Sequence, residues 1–230
     1  MRYITREIGG KTCILYGEIK ANICLIQPIQ EYDMEVLDRE IEQIEKRIGN
    51  KKFIFAGFKV ENWNEELSPW QAPAVFGKAD FGSGAKHTLD YILGEMIPKI
   101  SSIFELDKES VEYILGGYSL AGLFSLWAGY QTGRFYGIAA ASPSMWFPKW
   151  DDYMIKNTMQ AKKVYLSLGD KEERTKNQTM KKVAQRIGQQ YEILTSQIGE
   201  KNCILEWNQG NHFKDTDIRK AKAFSWIINQ

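Results

Sequence analysis

Apolar residues in this chain fall into short unbroken runs that alternate with stretches of helical spacing. Ile23-Cys24-Leu25-Ile26 is one such run, and residues 52–58, 134–143, 163–168 and 203–207 are others. Runs of this length without polar alternation are expected of strands buried on both faces. Residues 11–19 and 21–28 read as two strands separated by a polar turn. Between the runs, Met34, Leu37, Ile41, Ile44 and Ile48 recur at helical spacing, with Asp33 placed to cap the start and Gly49-Asn50 to stop it. A second helix is predicted from about Ala85 to Phe104, kinked or shortened by Pro98. A third, from about Lys176 to Ile198, keeps Met180, Val183, Ile187, Tyr191 and Leu194 on one face, and a last one runs from about Asp217 to Ile228. Strand and helix in alternation predict a mostly parallel sheet with helices on both faces. No repeat or linker divides the pattern, so residues 1–230 read as one α/β domain.

One interval breaks the rhythm. Residues 61–84 hold Trp63, Pro69, Trp70, Pro73 and several glycines without a clear period. A loop this long inside a compact domain is usually functional, and its aromatic side chains suit the wall of a binding site.

The centre of the pattern is residues 111–130. Val111, Tyr113, Ile114 and Leu115 end at Gly116-Gly117; Ser119 follows, and then Leu120, Leu123, Phe124 and Trp127 at helical spacing. Strand, tight turn and helix with a serine at the turn is the setting of a nucleophile elbow. Strand and helix approach closely there, and Gly117, Ala121 and Gly122 are small enough to allow it. Residues 113–133 carry no charge, which raises the possibility of a membrane span. Five glycines and the ordinary polar sequence beyond favour a buried strand and helix instead.

Charge adds little: the formal net of +1 points to neither nucleic acid nor an acidic membrane surface. Three cysteines (Cys13, Cys24, Cys203) are odd in number and lack metal-ligand spacing, so neither a disulfide framework nor a zinc site is expected. The N-terminal Met-Arg-Tyr-Ile-Thr-Arg-Glu has charges where a signal peptide needs its apolar stretch, and a cytoplasmic location is the default expectation.

A serine needs a base within reach, itself oriented by a third group. In a parallel sheet the loops after the strands converge on one edge. Of two histidines, His87 sits among helix residues, whereas His212 follows the last strand on a Gly-Asn loop. The acid is expected after the preceding strand, where the loop beyond Gly169 offers Asp170, Glu172 and Glu173. Spacing does not choose among the three. One oxyanion donor is expected at the Leu120 N–H, at a helix start. The second is expected from the loop after the early strand; Pro28 has no N–H, which leaves Ile29.

Gly116-Gly117-Tyr118-Ser119-Leu120-Ala121-Gly122 and Ala141-Ser142-Pro143-Ser144-Met145-Trp146 resemble segments of the esterase family of α/β-hydrolases that includes esterase D and the enterochelin-esterase-like enzymes. Leu67-Ser68-Pro69-Trp70 and Leu93-Gly94-Glu95-Met96-Ile97-Pro98 are similar to further segments of its bacterial members. The likeness covers most of the chain, from about Ile23 to Ile228; the Gln27-Pro28-Ile29-Gln30 turn departs from the usual glycine-bearing one. The resemblance implies an α/β-hydrolase fold with a minimal lid, and a serine esterase without metal or organic cofactor. It selects Glu172, three residues beyond Gly169, as the acid. Trp63, Trp70, Tyr118 and Trp146 would then line the pocket for a small ester. Two other readings keep the same fold: an acyltransferase with the same triad, and a binding protein without turnover.

Overall fold

Strands with no polar face are stable only where both faces are covered, and the element order supplies that cover. The computed structural model describes residues 3–230; Met1 and Arg2, the start of the charged N-terminal segment, lie outside the described residues. In chain order these form β1 (Ile4–Ile8), β2 (Lys11–Gly17), β3 (Ile23–Ile29), α1 (Glu31–Ile48), β4 (Ile54–Lys59), α2 (Trp63–Glu66) and α3 (Ala85–Tyr91). A π-helical turn (Ile92–Met96) joins α3 to α4 (Ile97–Ile103). Then come β5 (Glu112–Tyr118), α5 (Leu120–Gln131), β6 (Gly137–Ala141), α6 (Trp150–Lys156), β7 (Lys163–Gly169), α7 (Val183–Ile198), β8 (Cys203–Asn208) and α8 (Thr216–Ile228). The strands make one eight-stranded sheet in the order β1-β2-β4-β3-β5-β6-β7-β8. β1 and β2 run antiparallel to their neighbours, and all pairings from β4–β3 to β7–β8 are parallel. This is an α/β-hydrolase fold.

Two apolar layers hold it. On one face Leu37, Ile41 and Ile44 of α1 and Ala221, Phe224 and Ile227 of α8 pack on Leu25, Phe55 and Ile114. On the other, Leu89, Ile100, Leu123, Phe124, Ile187 and Leu194 pack on Ile26, Leu115 and Leu166. Each fully buried Leu, Ile or Phe contributes about 1.5–3 kcal/mol relative to exposure. The uncharged stretch becomes β5 and α5, at the middle of the sheet; every residue from Leu120 to Tyr130 is buried. Among the described residues, no helix is long and apolar enough to cross a membrane.

Several local expectations change. Asp33 is not the N-cap of α1 but its third residue: its N–H bonds the Gln30 carbonyl at 3.0 Å and its carboxylate takes the Gln30 N–H at 3.1 Å. Met34 faces outward, leaving Leu37, Ile41, Ile44 and Ile48 as the buried stripe. Pro98 does not end the second helix. Its missing N–H and ring demand space one turn back, and the wider π turn directly before it provides that room. Residues 61–84 are less irregular than expected, containing α2 and an antiparallel bridge between Ala72 and Phe81.

Candidate active site

The carboxyl ends of β5, β6, β7 and β8 lie side by side, and every short turn beyond them supplies a polar side chain. After β5, Ser119 adopts φ 58° and ψ −119°. For a residue with a Cβ this conformation costs about 1–3 kcal/mol and persists only where its surroundings fix it. They do so here. The Ser119 N–H reaches the Ala141 carbonyl (3.2 Å), and its carbonyl takes the Leu123 and Ser144 N–H groups, each at 3.0 Å. A Cβ at Gly117 would stand 2.6 Å from Ala121 Cβ, so only glycine lets α5 fold back against the strand. Leu120 is the first residue of α5, and N–H groups of a first helical turn have no acceptor within the helix.

After β7 the chain turns back on itself. Glu172 N–H bonds the Gly169 carbonyl (3.1 Å), and Glu172 Oε1 takes the Gly169 N–H (2.7 Å) and the Ser142 hydroxyl (2.8 Å). Beyond β8, Gly210 donates its N–H to Asp170 Oδ1 (2.7 Å) and accepts from the Lys171 N–H (3.1 Å), lacing the β7 and β8 turns together. That lacing brings His212 Nδ1 to 2.7 Å from Glu172 Oε2. Burial raises the Glu172 carboxyl, but the His212 hydrogen bond and charge, the Gly169 N–H and the Ser142 hydroxyl outweigh it. The net position is below the usual carboxylate range. Tyr118 donates its hydroxyl to the His212 carbonyl (2.7 Å). Burial, then the Glu172 charge, push that phenol up to about 12, so it stays a donor at neutral pH.

Ser119, Tyr118, His212 and Trp63 share the lining of a cavity of about 350 Å³. The Ser119 hydroxyl has Ser144 Oγ as its hydrogen-bond partner, at 3.2 Å.

Other sequence-predicted residues lie elsewhere. Trp70 stacks on Trp150 and bonds the Pro148 carbonyl through its indole N–H (2.9 Å), and Trp146 is buried against Phe76 and Phe81. Both belong to packing rather than to the cavity lining. Ile29 lies in β3 opposite Lys59, its carbonyl bonded to the Val60 N–H (3.0 Å). In a strand the N–H and C=O of one residue point to the same neighbour, so the Ile29 N–H is turned into the β3–β4 ladder and away from Ser119. His87 is exposed on α3. Asp170 binds the Gly210 N–H, and Glu173 is exposed, which leaves Glu172 alone of the three acids on His212.

Sequence reasoning missed Arg219, whose guanidinium is buried beside Glu172, 2.9 Å from Oε1. It also missed Lys220, paired with Asp33 (2.6 Å) and Glu40 (2.7 Å) at the cavity wall. For Lys220 the available signal was its face: Asp217, Lys220 and Phe224 fall on one stripe of α8, and charges there have to be paired.

The family model described as "Putative esterase" matches residues 40–214. The chain belongs to that family. Membership carries ester hydrolysis as its general activity. Among curated proteins, the uncharacterized protein YbbA of Bacillus subtilis is similar, 24% identical over 205 residues that cover 85% of this chain and 82% of that protein. Among solved structures, the siderophore hydrolase EstA of Aspergillus nidulans superposes with a TM-score of 0.70 at 14% identity, over 95% of this chain and 90% of that one. An IroE-like serine hydrolase of Shewanella oneidensis gives 0.74 at 14% identity, over 99% and 79%. At these identities the likeness is one of fold.

Proposed function

We propose that this member of the esterase family is a serine carboxylic-ester hydrolase that works through an acyl-enzyme on a small ester. Ser119 Oγ attacks the acyl carbonyl carbon while His212 Nε2 takes its proton. The imidazolium is held and stabilised by Glu172 through Nδ1. As the tetrahedral intermediate collapses, His212 returns the proton to the departing alcohol. Water then repeats the sequence on the acyl group and frees Ser119.

The Leu120 N–H faces the developing oxyanion from the start of α5, where the helix dipole adds to the attraction. The second donor is the Gln30 N–H. Gln30 lines the cavity one residue beyond Ile29, where successive strand N–H groups point to opposite sides, and in the resting site its N–H bonds Asp33. Each such donor is worth about 10²–10³ in rate. Trp63 and Tyr118 wall the cavity, whose volume of about 350 Å³ suits a small substrate.

One observation carries the reading: a buried carboxylate holds Nδ1 of a histidine that shares its cavity with a serine in strained backbone conformation. The test is hydrolysis of short p-nitrophenyl esters by the native protein and by Ser119→Ala. The native protein is expected to turn them over, and the variant to lose at least about 10⁴-fold in kcat. Equal activity in both would reject Ser119 as nucleophile.

A further inference from the structure

Helix α8 buries three charged side chains within four residues: Asp217, Arg219 and Lys220 are each at most 1% exposed. Two of them dock the helix. Lys220 pairs with Asp33 and Glu40, and Asp217 pairs with Arg39, so both anchor α8 to α1. The hydrogen bonds of Arg219 go elsewhere. Its Nη1 donates to Glu172 Oε1 (2.9 Å), Tyr118 Oη (2.9 Å) and Ser142 Oγ (3.2 Å). Its Nη2 donates to the carbonyls of Asn211 (3.0 Å) and Gln209 (3.3 Å). These five acceptors come from the ends of β5, β6, β7 and β8, one of them the phenol that itself bonds the His212 carbonyl.

We propose that Arg219 is the positioning residue of the active site: one guanidinium fixes both the Glu172 carboxylate and the backbone on either side of His212. The inference rests on the Ser119–His212–Glu172 reading. Two physical consequences follow. With Oε1 held by Arg219, Ser142 and Gly169, the carboxylate has one oxygen left to present, and that oxygen faces Nδ1. With the Asn211 carbonyl and, through Tyr118, the His212 carbonyl held, the ring cannot drift from the serine as the loop breathes. A planar fork with donors on two nitrogens can reach a carboxylate and two carbonyls together; a lysine ammonium cannot span them. Anchoring α8 does not explain the arrangement, since α8 is already tied to α1 by three other ion pairs.

The experiment compares Arg219→Met, Arg219→Lys, Tyr118→Phe and Ser119→Ala in the full chain. The readouts are kcat and KM for a p-nitrophenyl ester, the thermal midpoint, and the far-downfield proton resonance of the His212 Nδ1–H. A displaced base lowers kcat and leaves ground-state binding alone. Arg219→Met is therefore expected to lose about 100-fold in kcat with KM changed less than about threefold, and to lose the resonance. Arg219→Lys is expected to recover about tenfold of that loss, because the charge returns beside Glu172 without the fork. Tyr118→Phe is expected to fold normally and lose about threefold to tenfold in kcat. A folded Arg219→Met with kcat within about twofold of native and the resonance intact would overturn the inference. If that variant does not fold, native kcat in both Arg219→Lys and Tyr118→Phe overturns it instead. Ser119→Ala separates the two levels. Full activity there sinks the underlying serine reading, whereas an inactive Ser119→Ala beside unaffected Arg219 variants sinks only the role of Arg219.

Discussion

Glu172 Oε2 stands 2.7 Å from His212 Nδ1, and the same carboxylate's other oxygen is fully occupied by donors. The acid is therefore held by its back, with one oxygen left for the imidazole.

An amide in that place cannot accept on both sides. Glu172→Gln either turns its NH₂ against the Gly169, Ser142 and Arg219 donors or presents it to His212 in the wrong tautomer. A loss of about 10³–10⁴ in kcat is expected from steady-state kinetics at a fixed pH. Asp170→Asn, which still bonds the Gly210 N–H through its amide oxygen, is expected to cost about 1 kcal/mol of stability and less than tenfold in rate. Glu173→Gln, on an exposed side chain, is expected to change neither. Full activity in Glu172→Gln beside collapse in a neighbour would reassign the acid.

Gly169 is required for space. A Cβ there would lie 2.3 Å from the Gly210 carbonyl oxygen, 2.9 Å from Glu172 Oε1 and 3.0 Å from Arg219 Nη1. Gly169→Ala is expected to destabilise the fold by about 1–3 kcal/mol and to lower kcat by pushing the β7 and β8 turns apart. Thermal melts and kinetics on one preparation check both effects; native values for each would show that the turns yield freely.

The two tryptophans of residues 61–84 should behave differently. Trp63 lines the cavity, so Trp63→Ala is expected to raise KM with little loss of stability. Trp70 stacks within an aromatic cluster with Phe147, Trp150 and Tyr153, so Trp70→Ala is expected to lose about 3 kcal/mol with KM unchanged. A reversal of the two would place the substrate on the other side of the loop.

The buried cluster of Glu40, Lys220 and Asp33 makes stability depend on pH. Burial lifts the Glu40 carboxyl to about 7, against the opposing pull of Lys220. Between about pH 4.5 and 7 the unfolded chain then binds fewer protons than the folded one, so this group lowers stability as pH rises. Glu40→Gln removes that dependence. The thermal midpoint of the variant minus that of the native protein is expected to be more positive at pH 8 than at pH 5; the same difference at both pH values would show Glu40 to be ionised throughout.

The parallel strands, and the strand, turn and helix around Ser119, were legible because burial on both faces writes itself as unbroken apolar sequence and small residues mark where strand and helix meet. β1 was not legible: Ile4, Thr5, Arg6 and Glu7 form an edge strand with those four residues exposed, so no alternation marks it. Asp33 is compatible with either an N-cap or an N3 position, and only the backbone distinguishes them. The tryptophans could be placed in an aromatic loop but not assigned to one side of it, because packing and binding use the same residue type. Arg219 escaped notice for a different reason. Buried charge depends on partners from four strand ends, and those are brought together by topology alone.

The central claim is that Ser119 becomes the acylated residue. Labelling with a fluorophosphonate followed by peptide mass mapping tests it directly. The account predicts one adduct, on Ser119, absent from Ser119→Ala and formed far more slowly in His212→Ala. An adduct on another residue, or unchanged labelling of Ser119→Ala, would contradict it.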